Sequence, residues 1–307
     1  MKIKKIALLA GGWSPEREVS LNSGKNIAEG LKRLGFEVCE IDVKKDLKHI
    51  TDKLYDCRPD FVFNTLHGIG GEDGVIQGIL EVFGVPYNNS DVLSSAITFD
   101  KSVCKKLVKT AGVRVVDGFD ITSSDIQNIN TPQGINVNYP FVVKPSDNGS
   151  TIGVFLIFND EDLQNLKNTK WTFGEKVIIE KYIKGREFTT LTLDGKAIGA
   201  IEITYKNKLY DYSSKYDVGG SFHLSHFNLG ESNLKEMLDM SEKAFKVCCC
   251  RGIARADFRY DNERVYFLEL NTQPGMTSLS LVPDIAKFNG ISFENLLMKI
   301  IESSLKT

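Results

Sequence analysis

The tightest constraint on the fold lies in residues 1–95, where short apolar runs alternate with stretches of helical periodicity. Residues 3–9, 37–43 and 60–66 read as strands. Between the first two, Ile27, Leu31 and Leu34 recur at helical spacing, and Gly35 follows as a stop. Alternation of this kind predicts βαβ units and a parallel α/β domain. The third run ends in Asn64-Thr65-Leu66-His67-Gly68-Ile69-Gly70-Gly71-Glu72-Asp73-Gly74. A Gly-rich turn at a strand's carboxyl end is where open α/β sheets bind ligands. The helix over 75–82 stops at Gly84, with Pro86 beyond.

A second pattern begins near Asp91. Residues 100–111 form a basic helix with Lys101, Lys105, Lys106 and Lys109. Strands follow at 141–145, 154–158 and 177–183, with a small-residue loop over 146–153 and a linker at Lys184-Gly185. Two hairpins are predicted further on, 187–193 with 197–203 across Asp194-Gly195, and 253–260 with 265–271 across 261–264. Residues 205–230 read as a long mobile loop. Helices cover 231–250 and 293–305. The changes of pattern near Asp91 and at Lys184-Gly185 divide the chain into 1–95, 96–184 and 185–307, the first of them α/β.

Charge narrows the partners. Lys plus Arg number 38 and Asp plus Glu 40, a net charge of −2. That balance argues against nucleic acid but leaves room for a basic pocket around a small anion. No apolar run approaches the ~18 residues of a membrane span. The apolar stretch at 6–10 is shorter than the ~7–15 residues of a secretory core, and reads as a buried first strand. Six cysteines, three adjacent at Cys248-Cys249-Cys250, suit a reducing, cytoplasmic setting. They are structural thiols on a helix end or, alternatively, redox groups.

Three constellations carry chemistry. If the second hairpin turns over 262–264, Asp257 faces Glu269 across the ladder, and Asn271 shares Glu269's face. Three oxygen donors there would take a hard cation such as Mg²⁺; the alternative is an exposed strand face paired to Arg255 and Arg259. Lys101, Lys144, Lys181 and Lys215 are each unremarkable as solvated side chains. Lys144, however, emerges from a buried strand before the Gly149-Ser150 loop, which suits phosphate. No Walker pattern or complete dinucleotide fingerprint occurs. Finally, Gly11-Gly12-Trp13-Ser14-Pro15-Glu16-Arg17-Glu18-Val19-Ser20 follows the first strand. Ser14 with Pro15 predicts a helix start, and Glu16 either serves the helix dipole or holds an ammonium group in the crevice.

Taken in order, these motifs resemble the D-alanine–D-alanine ligases over essentially the whole chain. The resemblance rests on Gly11-Gly12 with Ser14 to Ser20, on Leu66 to Gly74, on Lys144-Pro145 with Gly149-Ser150, and on Tyr210-Asp211-Tyr212 with Lys215-Tyr216. Arg255 with Asp257, Glu269-x-Asn271-x-x-Pro274-Gly275-Met276-Thr277 and Ser280-Leu281-Val282-Pro283 complete it. It implies an ATP-grasp fold, two α+β lobes clamping ATP behind an N-terminal Rossmann-like α/β domain. It implies two Mg²⁺ or Mn²⁺ on Asp257, Glu269 and Asn271, and phosphate oxygens on Lys101, Lys144 and Lys215. Glu180, Lys181, Tyr182 and Ile183 would line the adenine pocket and Glu187 would take the ribose. Glu16 would anchor the first D-alanine's ammonium, with Ser150 and Tyr216 bonded to it and His67 nearby. Arg255 and the Gly275 N–H would hold the oxyanion, and Ser280 and Leu281 the second D-alanine's carboxylate.

The implied activity is ATP-dependent ligation of two D-alanines for peptidoglycan precursors and cell-wall synthesis, in a cytoplasmic homodimer without nucleic-acid or membrane partners. Alternatives are another carboxylate–amine ligase, a D-alanine–D-lactate ligase, or a non-catalytic nucleotide-binding regulator. Two departures stand out. Gln273 replaces a small polar residue, to touch the metal surroundings or point outward. The loop over 221–229 lacks the usual proline step and carries His223 and His226, either of which could bear on the choice of nucleophile.

Overall fold

The computed structural model describes residues 3–205 and 221–305. Among them the strands form three sheets. The first is parallel: β1 (Lys5–Gly11), β2 (Glu37–Val43) and β3 (Phe61–Asn64), ordered β2-β1-β3. Helices α1 (Arg17–Arg33) and α2 (Leu47–Cys57) make the crossovers. β1 and β3 are apolar almost throughout because both their faces are covered, whereas β2 exposes Glu37, Glu40 and Asp42 and buries only Ile41 and Val43. Ile6, Leu8 and Phe63 pack with Ile27 and Leu31 of α1, while Ala7, Leu9 and Val62 pack with Ile50 and Leu54 of α2.

α1 ends as its sequence implies: the N–H of Gly35 (φ +88°) donates to the Lys32 carbonyl at 3.0 Å. Its start differs from the expected cap. The helix begins at Arg17, and Ser14 is engaged elsewhere, its Oγ donating to the His67 carbonyl at 2.6 Å. The same Oγ accepts from the Glu16 N–H at 3.2 Å, so the entrance of α1 is tied to the Gly-rich turn.

Past α3 (Val75–Phe83), α4 (Val92–Phe99) and α5 (Lys101–Thr110) lead into an antiparallel sheet ordered β4-β7-β5-β6. Its strands are β4 (Gly118–Thr122), β5 (Phe141–Pro145), β6 (Phe155–Ile157) and β7 (Lys176–Lys181). Phe141, Val143, Val177 and Ile179 close on Leu163 and Leu166 of α6 (Asp160–Asn168).

The third sheet is also antiparallel, ordered β10-β9-β8-β11-β12. It comprises β8 (Arg186–Leu193), β9 (Lys196–Tyr205), β10 (Ser221–Leu224), β11 (Ile253–Tyr260) and β12 (Val265–Asn271). Three helices complete the chain: α7 (Glu231–Val247), α8 (Leu281–Phe288) and α9 (Phe293–Ser304). One sheet face, through Leu191, Ile201 and Ile203, shares a core with α8, α9 and α1. The other, through Phe188, Phe258 and Phe267, packs on α7 and on Cys104 and Val108 of α5. All six cysteines are free thiols; Cys248 and Cys250 are buried after α7, while Cys249 is exposed.

Two expectations change here. Residues 221–224, read as loop, form an edge strand whose His223 pairs with Ile203 of β9. Residues 206–220 of that stretch, with Lys215 and Tyr216, lie outside the described residues, and 225–230 lead into α7 without forming a strand or helix. In the second hairpin, Tyr260 pairs with Val265, so the connection is 261–264, as the strand bounds predict, and not the 262–264 turn on which the facing of Asp257 and Glu269 was conditioned. Asp261 organises it, its Oδ1 accepting from the Glu263 and Arg264 N–H groups at 2.9 and 2.7 Å. A register shift between Asp257 and Phe258 then brings Asp257 opposite Glu269 after all. No helix among the described residues is long and apolar enough to cross a membrane.

Candidate active site

A cleft runs between the two antiparallel sheets and ends against the parallel domain. Its two cavities share Lys101, Asn148, Gly149, Ser150 and Glu269. At the inner end Glu16, 7% exposed, accepts a hydrogen bond from Ser150 Oγ. The 149–150 loop must come close for this: a Cβ on Gly149 would stand 2.6 Å from Glu16 Oε2. His67 lies beside them, with Nδ1 3.2 Å from Glu72 Oε1 and Nε2 3.5 Å from Ser23 Oγ. Burial opposes a charged imidazole here, but Glu72, with Glu16 behind it, outweighs burial and raises the His67 pKa. Glu72→Gln removes the larger of those charges. The His67 midpoint is expected to fall, read from its ring resonances across a pH titration.

The outer cavity sets Lys101, Lys144, Lys181 and Arg259 among the carboxylates Glu180, Glu187, Asp257 and Glu269. Lys101 Nζ donates to the Asn148 carbonyl at 2.5 Å and lies 3.3 Å from Glu269 Oε2. Lys144 Nζ sits 2.7 Å from Glu180 Oε2, and Lys105 Nζ binds Glu180 Oε1. Two ammonium groups thus share one buried carboxylate. Burial alone would push Glu180 up, but the lysines hold it at about 2. The surplus positive charge falls on Lys105, which burial and then Lys144 lower to about 8. Lys144 is raised despite burial, by Glu180 and then Glu269. Lys181, Tyr182 and Ile183 continue the wall beyond Glu180. Glu187 accepts from Tyr205 Oη at 2.7 Å and pairs with Arg259 at 3.2 Å.

Between the cavities stands the acidic face. Asp257 accepts from Arg255 through both oxygens, Nε to Oδ1 at 2.9 Å and Nη2 to Oδ2 at 2.8 Å. Thr189 Oγ1 also donates to Asp257 Oδ1, at 2.7 Å. Glu269 Oε1 is 3.9 Å from Arg255 Nη2, and Asn271 Oδ1 accepts from the Gln273 N–H at 2.8 Å. The described residues hold no cluster of three carboxylate, histidine or cysteine ligands. Two carboxylates and an amide instead suit an ion that completes its coordination with water and phosphate. Gly275, Ser280 and Leu281 close the far side, where α8 begins.

Reasoning from sequence missed several partners. Lys105 is one helical turn from Lys101, a spacing that could have placed both toward the cleft, whereas Lys106 pairs outside with Asp120. Gln273 neither points outward nor turns to the acidic face; its side chain reaches Asn64 and Asn89 of the parallel domain. His223 Nδ1 is 2.6 Å from Asp284 Oδ2 on α8.

Comparison with known proteins gives the same picture. Residues 107–302 match a family model described as the D-ala D-ala ligase C-terminus. A D-alanine–D-alanine ligase of Rhodopseudomonas palustris (strain BisB18) is 40% identical over 312 residues, 99% of this chain and 98% of that one. One from Wolbachia pipientis wMel is 42% identical over 307 residues, covering 99% and 95%. The crystal structure of D-alanine–D-alanine ligase from Bacillus anthracis complexed with ATP superposes with a TM-score of 0.83, at 32% identity, covering 99% and 98%. Two antiparallel lobes around a cleft lined by lysines and carboxylates, set behind a parallel α/β domain, define an ATP-grasp ligase. The chain belongs to the D-alanine–D-alanine ligase family.

Proposed function

We propose that this protein joins two D-alanine molecules at the expense of ATP, releasing ADP, phosphate and D-alanyl-D-alanine for peptidoglycan precursors. One observation carries the reading: the part-buried Glu16–Ser150 pair closes the end of the same cleft whose mouth holds Lys101 and Lys144. An ammonium on Glu16 leaves its own carboxylate directed toward the triphosphate.

In this reading Lys101 and Lys144, with Lys215, hold phosphate oxygens. Lys181 to Ile183 take adenine and Glu187 the ribose. Glu180 acts by fixing Lys144. The first D-alanine's carboxylate attacks the γ-phosphorus, giving an acyl phosphate and ADP. The second D-alanine presents its carboxylate to Ser280 and the N–H groups opening α8, a favourable site for an anion. Its amine loses a proton and attacks the acyl carbon. Arg255 and the Gly275 N–H stabilise the oxyanion, which collapses as phosphate leaves. Asp257, Glu269 and Asn271 supply an all-oxygen set that fits Mg²⁺ or Mn²⁺, and two such ions would neutralise triphosphate charge. Tyr216, with Ser150 and His67, would enclose the first substrate against water. We read the enzyme as a cytoplasmic homodimer.

The test is phosphate release with Mg-ATP and D-alanine, with mass spectrometry of products when D-alanine competes with D-lactate. D-alanine-dependent release and a dipeptide product are expected. No release above background, with release on another amino acid, would transfer the protein to a different substrate. Gly149→Ala pushes a methyl group against Glu16. It is expected to raise the KM of the first D-alanine about tenfold, roughly 1.4 kcal/mol, with the ATP KM little changed.

A further inference from the structure

Gln273 is 5% exposed and follows Asn271 by two residues. Its Nε2 donates to the Asn64 carbonyl at the end of β3, and its Oε1 accepts from Asn89 Nδ2 at 2.9 Å. These bonds join points 209 and 184 residues apart in sequence. Asn64 is itself locked: its N–H donates to Asn88 Oδ1 at 2.6 Å, and its Nδ2 donates to the Gly71 carbonyl at 3.2 Å. Asn64 therefore governs the Gly-rich turn that bears His67 and Glu72.

The neighbouring residues secure the same strip from its other end. Asn26 Nδ2 donates to the Met276 carbonyl at 2.7 Å, and the Met276 N–H donates to Ser23 Oγ at 3.2 Å. The strip between these anchors contains Gly275 and begins just after Asn271. A shorter side chain at 273 could not reach Asn64 and Asn89, and an apolar one would strand buried amide groups.

We propose that Gln273 is a positioning residue that sets the 271–275 strip against the first-substrate pocket. Its two bonds fix the distance between the Gly275 N–H on one domain and His67 and Glu16 on the other. This rests on the ligase reading, since it is the acyl group held at Glu16 that must meet Gly275.

The experiment compares wild type, Gln273→Leu and Asn89→Ala for kcat, the KM of each substrate, ATP affinity by calorimetry and thermal midpoint. Misplacement of reacting groups by about 1 Å costs up to ~10²-fold in rate. Gln273→Leu is expected to lower kcat by between about tenfold and 10²-fold and raise the D-alanine KM, with ATP affinity within about twofold of wild type. Asn89→Ala, which removes one bond, is expected to show the same split in smaller degree, and remains informative if Gln273→Leu does not fold. Wild-type kcat and KM in a folded Gln273→Leu overturn the proposal. So does an equal loss of ATP affinity and rate, which would mark general loosening. A wild-type enzyme inert toward D-alanine but active on another acid sinks the substrate reading alone; the variant-to-wild-type ratios are then taken with that acid.

Discussion

Arg255→Ala is expected to lower kcat by about 10² to 10³-fold, the range for losing one oxyanion donor in a preorganised site. The guanidinium lines the inner cavity, as does Gly275. An interaction made chiefly as the tetrahedral adduct forms lowers kcat and kcat/KM together and leaves the ATP KM nearly alone. Arg255→Lys should recover little, because Arg255 meets both oxygens of Asp257 with a planar fork that an ammonium cannot reproduce. Arg255→Ala also leaves Asp257 with Thr189 as its remaining side-chain donor of those described above, so ATP affinity should be read in the presence of Mg²⁺. Unchanged turnover in the alanine variant would remove Arg255 from the oxyanion role.

What sequence could and could not reveal follows from the range of each interaction. β1 and β3 were legible because two-sided burial writes an apolar run directly into the chain, and Gly35 and Gly84 were legible because left-handed stops favour glycine. The Asp194-Gly195 turn was legible for the same reason, with φ of +50° and +75°. Asp257 opposite Glu269 was inferred from a shorter turn without a register shift; the longer turn and the shift compensate, and neither leaves a periodic signal. Ser14 looked like a cap because the local pattern is that of a cap. Its hydroxyl is instead taken by the His67 carbonyl, 53 residues on. The same reason hid Lys105 and Gln273. Their partners sit on other elements, and no pattern within a helix or strand encodes a partner 75 or 209 residues away. β10 was missed because an edge strand of four residues with Phe222 and Leu224 exposed carries almost no burial pattern.

The cluster at Glu180 gives the largest expected change in stability. Glu180→Ala leaves the ammonium groups of Lys105 and Lys144 buried without their shared carboxylate. Breaking a buried pair in this way costs about 3–5 kcal/mol, and the thermal midpoint should fall accordingly. Lys105→Met should cost far less at pH 7. It leaves a one-to-one Lys144–Glu180 pair and removes the lysine whose charged form burial already disfavours, the one lowered to about 8. The pH dependence separates the two groups. Glu180 has a folded pKa of about 2 against 4.5, so its stabilisation is present above 4.5 and is lost as pH falls from 4.5 toward 2. Lys105 has a folded pKa of about 8 against 10.5. The unfolded chain therefore binds more protons between those values, and this group's contribution to stability rises with pH from 8 to 10.5. Denaturant midpoints across pH 2–10 should show a weaker acid limb in Glu180→Ala and a weaker alkaline rise in Lys105→Met. If the two variants instead lose equal stability at pH 7, the charge is not shared unequally, and Lys105 is as firmly bound to Glu180 as Lys144 is.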